Sequence, residues 1–172
     1  MQIISCTYQT HAAAILAILN EAIVNSTALY DYKPRAPESM VTWFNAKQSG
    51  KYPVLGLEED GQLRGFATYG SFRPWPAYKY SVEHSVYIHK EHRGKGLGLI
   101  LMRRLIEVAT EQQLHVMVGG IDAENQNSIA LHKKLGFAHA GTIRQAGFKF
   151  GRWLDLAFYQ LLLKTPDQPT DG

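Results

Sequence analysis

The chain has 172 residues, 45% hydrophobic and 19% charged, an ordinary composition for a water-soluble protein with one sizeable core. Eighteen Lys and Arg against fifteen Asp and Glu leave a formal charge of +3, too small for the global field that nucleic-acid binders carry. Cys6 is the single cysteine, which excludes an internal disulfide framework and a Cys-based zinc cluster.

There is no basic-then-apolar leader and no run near the roughly 18 to 20 apolar residues of a membrane span, so the expected compartment is the reducing cytoplasm. Seven histidines show no ligand spacing, and no metal is expected.

Residues 2 to 8 read as a strand, and Thr10 is placed to cap a helix whose apolar positions are Ile15, Ile18, Leu19, Ala22 and Ile23. A loop from Asn25 to Arg35 carries Thr27, Tyr30 and Tyr32. A second helix is expected from Pro37, with Met40, Trp43 and Phe44 inward and a stop near Gly50. Val54 to Leu57 and Leu63 to Phe72, joined at Asp60-Gly61, read as a hairpin.

After the rigid loop Arg73-Pro74-Trp75-Pro76-Ala77-Tyr78, the stretch Tyr80 to Ile88 alternates, with Val82, His84, Val86 and Ile88 on one face and Glu83, Ser85 and Tyr87 on the other. A glycine-rich segment then leads into a helix with Leu97, Leu101, Leu105, Val108 and Ala109 on one face. Val116 to Ile121 is a short strand, Asn127 caps a helix ending at Gly136, and Phe137 to Ile143 and Phe148 to Leu163 are the last strands. The expectation is a strand-dominated mixed α/β domain over 1–164 with a mobile polar tail over 165–172.

A strand that runs into closely spaced glycines and then a helix offers backbone N–H groups at a helix N-terminus, which is an anion site. Arg93-Gly94-Lys95-Gly96-Leu97-Gly98 has this form, with Lys90, Arg93 and Lys95 as mobile cations suited to a diphosphate. A dinucleotide fingerprint would need glycine where Leu99 stands, and a P-loop would need Ser or Thr after its lysine, so neither fits.

Arg-x-x-Gly-x-Gly after a strand ending Val86-Tyr87-Ile88 resembles the acetyl-CoA loop of the GCN5-related N-acetyltransferases. Asn125 through Phe137, with Asn127, Ser128 and Lys133 on a helix ending Gly136-Phe137, is similar to that superfamily's second cofactor element. Thr27-Ala28, Val82 through Tyr87 and Phe148 through Asp155 resemble its phosphinothricin and methionine sulfoximine acetyltransferases.

The resemblance implies an α+β acyl-CoA N-acyltransferase fold: a mostly antiparallel, splayed sheet of about seven strands with about four helices. It also implies acetyl-CoA as cosubstrate, a small amino-acid-like amine as acceptor, a homodimer, and pantetheine pairing near Val86, Tyr87 and Ile88. Glu83 is then the candidate base for the amine proton. His132 stands where many members carry a tyrosine thought to protonate the thiolate, and the alternative is an exposed residue on a Lys-rich helix face.

Arg73 is the leading cation for a substrate carboxylate, with Arg35, Arg144 and Lys149 as competitors, and Tyr30, Trp75 and Tyr78 as candidate pocket walls. Leu154 departs from the histidine of herbicide-detoxifying members, and Asp155 is expected to accept from Trp153 or Arg152. Rival readings are a protein N-terminal or antibiotic acetyltransferase, a non-catalytic acyl-CoA sensor, and a basic nucleic-acid module. The last would use Lys90, Arg93, Lys95, Arg103, Arg104, Lys133 and Lys134, but lacks exposed aromatics to stack bases.

Overall fold

A computed structural model describes every residue from Met1 to Gly172. Its elements run β1 (Gln2–Ser5), α1 (Tyr8–Asn25), α2 (Ser39–Ser49), β2 (Val54–Glu59), β3 (Gln62–Ser71), β4 (Ser81–Ile88), α3 (Leu97–Glu111), β5 (Val116–Asp122), α4 (Gln126–Lys134), β6 (Ala138–Lys149) and β7 (Arg152–Leu162). The strands form one seven-stranded sheet in the order β1-β2-β3-β4-β5-β7-β6. The pairs β1–β2, β2–β3, β5–β7 and β6–β7 are antiparallel, while β4–β5 is parallel and uses α3 as its crossover. This is the mixed, mostly antiparallel α+β architecture expected.

The chain divides into two compact units, Met1–Tyr69 with Ser85–Leu105 and Gly70–His84 with Ile106–Gly172. The division cuts through β3, β4 and α3 rather than a linker, which is why no boundary is visible in the composition.

In the first unit, Ile15, Leu16, Ile18 and Leu19 of α1 are buried with Met40, Val54, Leu63 and Phe66, and Trp43 and Phe44 pack against them half-buried. Helix α1 begins earlier than Thr10. Its N-cap is Thr7, whose extended backbone donates its N–H to His11 Nδ1 at 2.9 Å, a reach-back contact from the first turn. Pro37 belongs to the turn before α2, where Met40 N bonds Pro37 O at 3.1 Å. Asp60 and Gly61 both take positive φ, 52° and 70°, the geometry that a two-residue hairpin turn requires.

In the second unit, Met117, Ile121, Ile129, Phe137, Leu154, Ala157 and Tyr159 are buried. The final hairpin turns at Phe150-Gly151, with φ of 53° and 72°, so Phe148 and Lys149 end β6 instead of opening the last strand. Residues 144–147 are also strand, bulged between Ile143 and Gly147. Asp155 Oδ1 accepts from Gln145 N at 2.8 Å, satisfying a residue held at φ 53°. Asp155 therefore serves the bulge, while Arg152 pairs with Asp122 and Glu124.

The segment from Thr165, expected to be mobile, is tied back. His115 Nδ1 lies 2.7 Å from Thr165 O, Thr170 N donates to Tyr80 Oη at 3.1 Å, and Lys79 Nζ donates to Asp171 O at 3.0 Å.

Candidate functional site

In the first unit, β4 ends at Ile88 and passes through a 3₁₀ turn, Lys90–His92, into the glycine segment and α3. Gly94 and Gly96 adopt φ of +76° and +77°, a conformation that L side chains resist. Leu97 is buried at the first turn of α3, so the loop is pinned to the helix behind it.

Lys90 and Lys95 are exposed, as a phosphate ligand would need. Arg93 is not the mobile cation expected. Its Nε donates to Ile88 O at 3.2 Å and its terminal nitrogen is paired with the Glu21 carboxylate, so it braces the loop against α1.

Gly65 was not foreseen. A Cβ there would stand 2.9 Å from Tyr87 O and 3.3 Å from Ile88 Cα, so glycine allows β3 to approach the backbone of Tyr87 and Ile88 closely. Tyr87 packs on Phe66 at 5.5 Å, and Val86, Tyr87 and Ile88 are all half-buried. Cys6 is no nucleophile, because burial and then Glu58 push its thiol up to about 12.

Arg35 is committed to Asp31 at 3.0 and 3.1 Å, and Tyr30 is 38% exposed in the loop after α1. His89, Glu91 and His92 bring ligand atoms within 4.8 Å of one another, a grouping that their sequence spacing does not advertise. Arg64 already lies 3.1 Å from His92 Nε2, and Lys90, Arg93 and Lys95 flank the group, a setting hostile to a cation.

In the second unit, Glu83 and His84 are consecutive on β4 and point to opposite faces. Glu83 is half-buried, and burial raises its carboxyl above the ordinary carboxylate range, partly offset by Arg73. Arg73 Nη1 is 3.7 Å from Glu83 Oε2 and donates to Phe72 O at 2.6 Å, and its guanidinium lies 4.3 Å over the Phe72 ring.

A groove of about 390 Å³ is lined by Phe72, Val118, Gly141, Ile143, Phe158 and Gln160. Val118 is the register partner of Glu83, and Phe158 and Gln160 are the partners of Gly120 and Val118, so groove and carboxyl share one sheet face. A Cβ at Gly120 would meet Glu83 Oε1 at 3.2 Å, so this glycine keeps space beside the carboxyl.

Trp75 is 68% exposed, and Tyr78 packs edge-on to Phe72 at 5.5 Å. Lys149 is 4% exposed beside the Phe150 turn, on a different stretch of the hairpin from the groove, with its Nζ 5.1 Å over the Phe150 ring. Leu154 is fully buried, so the residue between Trp153 and Asp155 is a core position in this chain.

The N-cap of α4 is Asn125, whose Oδ1 accepts from Ser128 N at 3.1 Å, and not Asn127. Asn127 and Lys133 are exposed and Ser128 half-buried. The helix stops at Lys134, and beyond its C-cap Leu135 the chain turns at Gly136, φ +89°, with Phe137 N bonded to His132 O at 3.0 Å.

His132 does not belong to the exposed lysine face. It is 2% exposed, with Nδ1 2.6 Å from Ser128 O and Nε2 2.9 Å from His84 Nε2. Burial holds His132 below the ordinary imidazole range, and burial, then His132, takes His84 down to about 3, so both rings are neutral at pH 7.

The parallel β4–β5 register runs from Ser81↔Val116 to Glu83↔Val118, while β4 itself continues to Ile88. In the first unit, a strand end that leads into a left-handed glycine loop suits a phosphate-bearing donor, and in the second, a carboxyl on the face of a groove suits an amine acceptor.

Residues 18–137 match the acetyltransferase (GNAT) family model. A methionine sulfoximine/methionine sulfone acetyltransferase of Pseudomonas paraeruginosa is 47% identical over 150 residues, 87% of each chain. A solved chain from Acinetobacter baylyi is 62% identical, covering 99% of this chain and 96% of that one, with a TM-score of 0.98. A phosphinothricin acetyltransferase of Sinorhizobium meliloti, solved in complex with acetyl-CoA, is 34% identical over 99% of this chain and 94% of its own, with a TM-score of 0.93. By the family match and by relatives similar over nearly their whole length, the chain belongs to the GNAT acetyltransferase family.

Proposed function

We propose that the protein is an N-acetyltransferase that moves the acetyl group of acetyl-CoA to the α-amine of a small amino-acid analogue such as methionine sulfoximine, methionine sulfone or phosphinothricin. The observation that carries this reading is the Glu83 carboxyl, raised by burial, set 3.7 Å from Arg73 and on the sheet face of an open groove.

A small amino acid presents an ammonium and a carboxylate a few bonds apart, and Glu83 with Arg73 presents the matching pair. The names of the relatives in Pseudomonas and Sinorhizobium point to the same acceptors.

On the donor side, the backbone N–H groups around Gly94, Gly96 and Gly98 with Lys90 and Lys95 would hold the pyrophosphate, with Leu97 anchoring the loop and Arg93 bracing it. Val86, Tyr87 and Ile88 would pair with pantetheine, and an N–H aimed at the thioester oxygen would be worth about 3 to 4 kcal/mol in the transition state. Asn127, Ser128 and Lys133 on α4 are the further cofactor contacts.

Glu83 takes a proton from the α-ammonium, the neutral amine attacks the carbonyl, and the thiolate leaves. A thiol of pKa about 8.5 needs no strong acid to depart. With both nitrogens of His132 engaged, the proton released by the amine is the simpler source for the thiolate. Arg73, Trp75 and Tyr30 are the proposed acceptor contacts. Lys149 supports this less, given its burial.

We also infer a cytoplasmic homodimer. β6 is one edge strand of the sheet, and Ile143, Phe150 and Trp153 are 54 to 59% exposed on the β6–β7 hairpin. Light scattering tests it, and a monomer at assay concentration would refute it.

The function is tested by thiol release from acetyl-CoA against the three analogues, polyamines and peptides. Turnover with the analogues is the expected result. Turnover confined to peptides or polyamines, or none at all, would overturn the reading, and silence would favour an acyl-CoA sensor.

A further inference from the structure

On the face of β4 opposite Glu83, the contact between His84 and His132 can be resolved to individual protons. Ser128 O can only accept, so His132 Nδ1, at 2.6 Å, carries the proton and its Nε2 carries a lone pair. His84 Nε2, 2.9 Å away, must then be the donor, which leaves His84 Nδ1 as a bare lone pair, buried without a partner. The opposite assignment faces two acceptors at 2.6 Å and buries an unsatisfied N–H on His84, so it is worse at both ends.

The surroundings are built for this contact. The two rings meet edge to edge and nearly coplanar, with centroids 4.9 Å apart and planes at 21°, Phe137 stands edge-on to both at 5.5 and 5.1 Å, and Tyr159 flanks His132 at 6.4 Å. On β5, a Cβ at Gly119 would come within 2.7 Å of His84 Nε2 and 3.0 Å of His132 Nε2, so the strand is reduced to backbone where the pair crosses it. Nothing in the acetyl transfer outlined above uses His84.

We propose that His84 is a positioning residue for His132, its Nε2–H fixing that ring in one orientation and in the Nδ1–H tautomer. A donor on the Nε2 lone pair stabilises neutral imidazole, so losing it makes His132 easier to protonate. An imidazolium there would be a buried cation behind the residue next to Glu83, and it would pull the Glu83 carboxyl down and weaken the base. His84 thereby keeps positive charge away from the rear of the strand that carries the base.

The kinetic part rests on the acetyltransferase reading, and the spectroscopic part does not. In ¹⁵N-histidine spectra of the intact protein, His132 should be Nδ1–H and His84 Nε2–H, both rings neutral at pH 7. In His84→Phe, His132 should titrate at higher pH than in the parent. The kcat–pH profile should gain an ionisation while KM for acetyl-CoA stays within about twofold. His84→Gln, which retains an N–H donor, should restore the parent His132 tautomer and the kcat–pH profile.

A parent His132 found as Nε2–H overturns the proposal. So does a folded His84→Phe variant whose His132 titration and pH profile match the parent. If His84→Phe fails to fold, the parent tautomers and the Gln variant decide. If the parent acetylates nothing, the acetyltransferase reading falls and the spectra alone decide the role of His84.

Discussion

The two faces of β4 in the second unit carry ionisable groups one residue apart and treat them in opposite ways. Glu83 is half-exposed beside an arginine and a groove, whereas His84 is sealed behind α4 and β5 against a second imidazole. Both groups are pushed toward their neutral forms by burial, but only the carboxyl side stays open to a ligand. The environment that each face assembles, not the residue's place in the chain, decides which group a ligand can reach.

The comparison can be broken at its open face first. Glu83→Gln preserves shape and removes basicity, so kcat with the best amine should fall about 10²- to 10⁴-fold at neutral pH, with folding unchanged by circular dichroism. A drop smaller than tenfold would move the base elsewhere.

The sealed face should show itself in stability against pH. The folded pKa of His84, about 3, lies below its ordinary 6.5, so the unfolded chain binds the proton first as pH falls. Its stabilising share is complete above pH 6.5 and is lost progressively from there toward pH 3. Denaturant titrations should lose on the order of 3 kcal/mol to this group by about pH 4, and the His84→Phe variant should have a correspondingly shallower slope. Equal slopes would mean that the imidazole is not held neutral.

The glycines separate the faces directly. Gly119→Ala places a methyl on the imidazole nitrogens and should cost about 1 to 3 kcal/mol in urea unfolding. Gly120→Ala meets a carboxylate oxygen at 3.2 Å and should cost less stability but more kcat. Matching effects from the two would erase the distinction.

The smallest effect expected is that of Arg73→Ala. KM for the amino acid should rise about tenfold with little change for acetyl-CoA, and the acid limb of kcat/KM should move to higher pH, because Arg73 holds the Glu83 carboxyl down. An unmoved limb would separate Arg73 from the base.

The left-handed glycine loop between β4 and α3 was legible because its signal is local: glycine spacing, a strand before and a helix after lie within a few residues. The helix with its Gly-Phe ending was legible for the same reason. The brace from Arg93 to Glu21 was not, since the partners are 72 positions apart and a lysine-rich neighbourhood suggests a solvated cation. His84 and His132 are 48 positions apart, and alternation alone shows only that His84 shares a face with Val82.

The groove likewise depends on β5–β7 register, which no local pattern encodes. The β6–β7 boundary has no local mark, because Phe150-Gly151 lacks the Asp of the Asp60-Gly61 turn and the bulge at Gln145 interrupts the alternation. At α4, two asparagines were available and only the hydrogen bond to Ser128 distinguishes them.

The adjacent glycines of β5 face one environment each, Gly119 the imidazole pair and Gly120 the Glu83 carboxyl. Substitutions at Phe72 or Phe158, which line the groove, can therefore test the proposed acceptor site while the imidazole pair is left intact. A larger residue at position 119 would press on the imidazole pair and cost foldedness, whereas one at 120 would press on the Glu83 side. The dipeptide acts as a divider that allows one surface to vary while the other is held fixed.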